Sequence, residues 1–146
     1  MSTVDLALLL PAIPALKTPP GEEPFLQGLK CRACGEVHVG AFLACPACAS
    51  RDSLDAVRLE KAGRLYSFSI VHRSYPGVAV PFVSAVVALD GGGHLKGNLV
   101  GVAPNPERVR VGARVQVQFR EADRRDPQGR GYLTYEFAPA PQENPS

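Results

Sequence analysis

The residues with the plainest chemistry in this sequence are its four cysteines. Cys31 and Cys34 form one Cys-x-x-Cys pair, and Cys45 and Cys48 form a second, ten residues further on. Two such pairs deliver four thiolates to one point, which is the donor set of a tetrahedral metal site. Gly35 follows the first pair, where a tight turn needs a positive φ. Pro46 stiffens the second turn and lowers the entropy lost on closing it. The segment between the pairs is short of large apolar side chains and cannot bury a core of its own. A bound metal would supply its folding energy, about 10–16 kcal/mol for structural zinc in small peptides. With four protein ligands the site is closed, so it is expected to be structural rather than catalytic. Zinc is the expected ion, at about one per chain, with a rubredoxin-like iron as the alternative because it takes the same four thiolates. Two disulfides would need an oxidising compartment, and no secretory signal is visible at the start of the chain. A dithiol redox centre would need only one pair, set beside a βαβ unit.

Other catalytic candidates are thin. His38 lies between the two pairs and is read as a surface or packing residue. His72 and His94 fall near strand ends, where a hydrogen-bonded structural role is expected. The run Gly91-Gly92-Gly93 lacks the Lys and Ser/Thr of a phosphate-binding loop and reads as a turn. Arg108, Arg110, Arg114, Arg120, Arg124, Arg125 and Arg130 crowd the last third, but Glu107, Glu121, Asp123 and Asp126 are interleaved with them. A solvated, self-paired surface accounts for that mixture.

Composition sets the frame for these groups. The 146 residues are 45% hydrophobic with no Trp, enough for one ordinary domain or two small ones. Four thiolates and one Zn²⁺ contribute a net −2, which offsets the chain's formal +2. The whole chain therefore offers no electrostatic argument for nucleic acid. The apolar run Leu6 to Leu10 is too short to span a bilayer and has no basic flank. A soluble, cytoplasmic protein is the expectation.

The elements that must position the cysteines follow from the pattern. Residues 1–30 read as an arm, with a short helix over Val4 to Leu10 ended by Pro11, and a second over Glu22 to Lys30 that puts Phe25 and Leu29 on one face. Its apolar side chains are expected to pack on this chain's own body or on a partner subunit. Residues 31–54 form the metal knot, residues 55–139 are β throughout, and residues 140–146 are a flexible tail. Gly63 marks a bend or bulge. Phe82 to Leu89 is almost wholly apolar and is expected to be buried on both faces. Gly97 breaks the next strand. Val115, Val117 and Phe119 alternate with polar residues, as do Leu133, Tyr135 and Phe137, the period of a half-buried strand. About five strands in so short a span suit a small closed barrel.

The order of these parts resembles a known family. A Phe25-containing segment leads into the double Cys-x-x-Cys unit, followed by Gly63-Arg64-Leu65-Tyr66-Ser67-Phe68 and a strand entered through Pro81-Phe82. Val111-Gly112-Ala113-Arg114-Val115 and Phe137-Ala138-Pro139 complete the series. This resembles the small proteins with a rubredoxin-like zinc ribbon and an OB-fold that are encoded beside thiolase-like enzymes, over residues 22–139. The resemblance implies a mainly β fold: a short helical arm, a zinc ribbon, then a five-stranded OB-fold barrel. It further implies a non-catalytic accessory subunit in a hetero-oligomer with a thiolase, acyltransferase or thiolase-fold aldolase, whose partner carries the catalytic residues. Acyl-CoA or CoA would be a ligand shared with that partner, and Arg73, Lys96, Arg124 and Arg125 are the candidates to meet its phosphates. The sequence departs from the family at Ala49, where the family usually has Gly; the departure is expected to loosen the second turn.

Two rival functions follow from the same parts. An OB barrel could bind single-stranded nucleic acid, with Tyr66, Phe68, Tyr132, Tyr135 and Phe137 as stacking platforms. An iron-loaded site could carry electrons.

Overall fold

The computed structural model describes residues 9–19 and 21–140, without the side chains of residues 123 and 124. Its elements are strands joined by turns: β1 (Leu10–Pro11), β2 (Leu16–Lys17), β3 (Phe25–Cys31), β4 (Val37–His38), β5 (Leu54–Arg58), β6 (Ala62–Val71), β7 (Phe82–Leu89), β8 (His94–Leu99), β9 (Arg114–Arg125) and β10 (Gly131–Pro139). Among the described residues there is no α-helix. The helical arm is therefore corrected. The segment expected as a helix over Glu22 to Lys30 is strand β3. Of the helix expected over Val4 to Leu10, residues 4–8 lie outside the described residues, and Leu10 opens a strand. The tail at residues 141–146 also lies outside them.

The chain divides into two compact units. The first comprises Met1–Glu60, Gly91–Gly93 and Phe119–Tyr135. Its centre is β3, which pairs antiparallel with β2, β4 and β5. Pro24, Leu26 and Gly28 are buried while Phe25, Gln27 and Leu29 are half-buried, the period of a strand rather than a helix. A side chain at position 28 would force its neighbours to move, because a Cβ there would lie 2.6 Å from Leu59 Cδ2 and 3.0 Å from the His38 carbonyl oxygen. The described part of the arm packs on its own chain. β1 runs parallel to the first part of β10, with Leu10 opposite Tyr132, and the Ala12 N–H donates to the Leu133 carbonyl at 2.8 Å. Arg58 stacks its guanidinium 3.9 Å over the Phe25 ring and reaches Glu22 at 3.5 Å, which ties the entry of β3 to β5.

The second unit comprises Lys61–Asp90, His94–Gln118 and Glu136–Ser146. Strands β6, β7 and β8 form an antiparallel meander. The sheet runs β10-β8-β7-β6-β9, and pairing of β9 with β10 closes five strands into a barrel. Leu65, Val83, Val87, Val115 and Phe137 fill its core. Full burial of each such side chain stabilises the fold by about 1.5–3 kcal/mol. On β7 the buried residues Val83, Ala85, Val87 and Leu89 alternate with half-buried ones, so one face is core and the other is only partly covered. The register is regular at Gly63, and the bulge lies between Leu65 and Ser67, where it turns Tyr66 outward onto the edge of His94 at 4.9 Å. Gly63 answers a different need: a Cβ there would sit 2.3 Å from the Ala88 carbonyl oxygen. β8 passes through Gly97 without a break, opposite Ala85. Arg114 forks onto both carboxylate oxygens of Asp90 at 2.8 Å and holds that carboxyl below the usual carboxylate range.

Candidate metal centre

β3 ends on Cys31, and a tight turn brings Cys34 back toward it. The Cys31 N–H donates to the Glu36 carbonyl at 2.9 Å, and the Gly35 N–H donates to the Cys31 carbonyl at 2.8 Å. The second pair repeats this pattern. The Cys45 N–H donates to the Ser50 carbonyl at 2.9 Å, and the Ala49 N–H donates to the Cys45 carbonyl at 2.8 Å. The match extends to the backbone angle: Gly35 has φ 82° and Ala49 has φ 65°. Ala49 thus takes the left-handed conformation that glycine would adopt without strain, and the second turn is as tightly bonded as the first.

These equivalent turns gather the four sulfurs. All four Sγ atoms lie within 4.8 Å of one another, and the cross-turn pairs Cys31–Cys48 and Cys34–Cys45 are each 3.7 Å apart. A tetrahedral site with metal–sulfur bonds of about 2.3 Å requires sulfurs about 3.8 Å apart. No disulfide joins them. The donor set, count and spacing therefore fit a tetrahedral tetrathiolate ion. Cys31 and Cys45 are buried, and Cys34 and Cys48 are exposed.

The electrostatics point the same way. The Ser53 hydroxyl first, then the Cys34 backbone N–H, lower the Cys31 thiol to about 6. At Cys34 the Glu36 N–H favours the thiolate, but desolvation and the neighbouring sulfurs outweigh it and push the thiol up to about 12. At Cys48 the Ser50 N–H is likewise outweighed, and the thiol is raised. Crowded sulfurs resist ionising together until a cation offsets their charge.

Two further residues complete the cluster: His38, read from the sequence as a surface or packing residue, and Ser53, which the sequence does not single out. His38 places Nε2 3.4 Å from Cys45 Sγ and rests edge-on against Phe42. Ser53 places Oγ 3.2 Å from Cys31 Sγ. Only the ladder reveals either one, since His38 is set by pairing with Leu29, and Ser53 directly precedes β5.

The basic candidates are not gathered in the same way. Arg73 is exposed in the loop after β6, beyond Val71, which pairs with Phe82. Lys96 lies on β8 opposite Val86, so the register separates the two along the sheet. Arg125 bonds the Gly129 carbonyl at 3.0 Å and the Glu121 carboxylate at 3.1 Å, within its own hairpin. The Arg124 side chain lies outside the described residues. Of the aromatics considered for base stacking, Phe137 is 0% exposed, and Phe68, Tyr132 and Tyr135 are half-buried; Tyr66, at 61%, stands out.

Between the two turns, Phe42 and Leu43 project outward, and Leu43 is 96% exposed. They border a groove of about 710 Å³, also lined by Ile13, Ala15, Gln27 and Leu29.

Residues 56–120 match the family described as the ChsH2 C-terminal OB-fold domain. A DUF35 domain-containing scaffold protein of Methanocaldococcus jannaschii is 30% identical over 122 residues, 82% of this chain and 83% of that protein. The benzoylsuccinyl-CoA thiolase subunit BbsA of Geobacter metallireducens is 33% identical over 69 residues, 47% of this chain and 46% of the subunit. Among solved structures, a chain of the Ltp2-ChsH2(DUF35) aldolase superposes with a TM-score of 0.62 at 32% identity, covering 80% of this chain and 85% of that one.

Proposed function

The chain belongs to the family of DUF35 domain-containing scaffold proteins, and from that premise we propose that it is a zinc-braced, non-catalytic subunit of a thiolase-fold acyl-CoA enzyme. The observation that carries this reading is the four-sulfur cluster, set in a chain that matches a component of an aldolase complex over four-fifths of its length. Zinc is the ion assigned to the cluster, held by Cys31, Cys34, Cys45 and Cys48; it would lock the two turns and supply no reactive position. The locked turns hold Phe42 and Leu43 out beside the groove. An exposed leucine fixed on a rigid support is the kind of anchor a partner surface covers. The barrel would help enclose the acyl-CoA channel, contributing position and exclusion of water while the partner breaks and makes bonds. Arg73, exposed and on a loop, is the basic residue best placed for a CoA phosphate; Arg125 already serves its own hairpin.

The test is capture of the tagged chain from its native host. A thiolase-fold enzyme should be recovered at a fixed ratio with the wild type. It should be lost with Leu43→Asp while the variant keeps its zinc. Retention of the enzyme by Leu43→Asp would remove this surface from the interface, and recovery of no acyl-CoA enzyme with the wild type would remove the function. The nucleic-acid reading is disfavoured by the burial of Phe137, and a lack of salt-sensitive binding to single-stranded oligonucleotides checks it. A colourless protein separates zinc from an iron–thiolate electron carrier.

A further inference from the structure

The four sulfurs are not equivalent in their surroundings. Cys34 and Cys48 are exposed, so water can solvate charge on their sulfurs. Cys31 and Cys45 are buried, and each has one side-chain donor aimed at it: Ser53 Oγ at 3.2 Å and His38 Nε2 at 3.4 Å. Ser53 is also the only buried polar or charged residue among the described residues. A buried hydroxyl is retained where it has a partner. Its alternative acceptor, the Ser50 carbonyl, is further away at 3.4 Å. A metal-bound thiolate can only accept, so with the ion in place the Ser53 proton points to Cys31 and the His38 Nε2–H points to Cys45. His38 is steadied for this by its ladder partner Leu29 and by the edge of Phe42 at 5.9 Å.

We propose that Ser53 and His38 are positioning residues of the metal centre, which stand in for water at the two buried thiolates and set how tightly the cluster holds its ion. The inference rests on the reading that the four cysteines bind a metal. Partners of this kind commonly change metal affinity by about 10–100-fold.

Cobalt(II) substitution tests it on the full chain, because the thiolate-to-cobalt charge-transfer band reports electron density at sulfur directly. Ser53→Ala and His38→Phe should each move that band to longer wavelength and weaken zinc, in competition with a chelator, by about 10–100-fold. His38→Phe keeps a ring against Phe42 and removes the donor, so it separates hydrogen bonding from packing. Ser53→Thr and His38→Gln, which keep a donor, should restore both band and affinity. An unchanged band and affinity in Ser53→Ala and His38→Phe overturn the inference while leaving the metal site intact. Failure of the wild-type chain to give a four-thiolate cobalt spectrum overturns the metal reading, and this inference with it.

Discussion

Replacing Ala49 by glycine should make the metal-loaded protein more stable, although it removes a side chain. Ala49 has φ 65°, and its N–H closes the second turn onto the Cys45 carbonyl at 2.8 Å. The left-handed conformation costs a residue with a Cβ about 1–2 kcal/mol. Glycine avoids that cost but loses more backbone freedom on folding, about 0.5–1 kcal/mol. The difference leaves a net gain of about 0.5–1 kcal/mol, a rise in Tm of about 1–4 °C for a chain of this size. Where folding of the ribbon and metal capture are linked, the same gain appears as zinc binding about two- to fivefold tighter. Gly35 is the control, because it occupies the equivalent place at φ 82° and a Cβ there would meet nothing within 4 Å. Gly35→Ala should therefore lower stability by a similar amount through backbone strain alone. Thermal unfolding of the zinc-loaded proteins reads both. A loss of about 0.5–1 kcal/mol in Ala49→Gly, as glycine gives in an ordinary conformation, would refute the equivalence of the two turns.

Other consequences are as direct. Cys45→Ser removes a buried ligand, so elemental analysis should find zinc falling from about one per chain toward none after brief dialysis against a chelator. Gly63→Ala forces a Cβ to 2.3 Å from the Ala88 carbonyl oxygen and 2.8 Å from Leu89 Cα, so chemical denaturation should show a loss of about 1–3 kcal/mol or more. The Asp90 carboxyl is depressed first by its hydrogen bonds from Arg114, so its contribution is complete above the unfolded-state value of about 3.9 and disappears as pH falls through its lower folded value. The Tm gap between wild type and Asp90→Asn should accordingly be open at neutral pH and close in acid.

The four-sulfur cluster was legible because its information is local. Four cysteines at fixed spacings define a donor set whatever surrounds them, and Gly35 marks the turn. The barrel strands were legible where alternation is strict, as at Val115 and Val117 and at Leu133 and Phe137, all of them buried. Strand β3 was misread because Phe25 and Leu29 fit a helical face as well as a strand. What decides the matter is pairing with β2, β4 and β5, segments before and after it in the chain that no local pattern reveals. Gly28 was the available signal: glycine is poor in a helix, and here it admits Leu59. Gly63 and Gly97 were read as interruptions, yet both lie inside regular ladders. The place of His38 beside Cys45, rather than as a surface or packing residue, and that of Ser53 beside Cys31 come from the fold that surrounds the cysteines, not from spacing along the chain.

The claim that the chain supports chemistry without performing it is met most directly by one comparison of rates. Acyl-CoA turnover should be measured for the zinc-loaded chain alone and for the complex captured with it from its own host. The complex should turn over acyl-CoA, and the isolated chain should show nothing above the uncatalysed rate. Turnover by the isolated chain at the rate of the complex would contradict the claim.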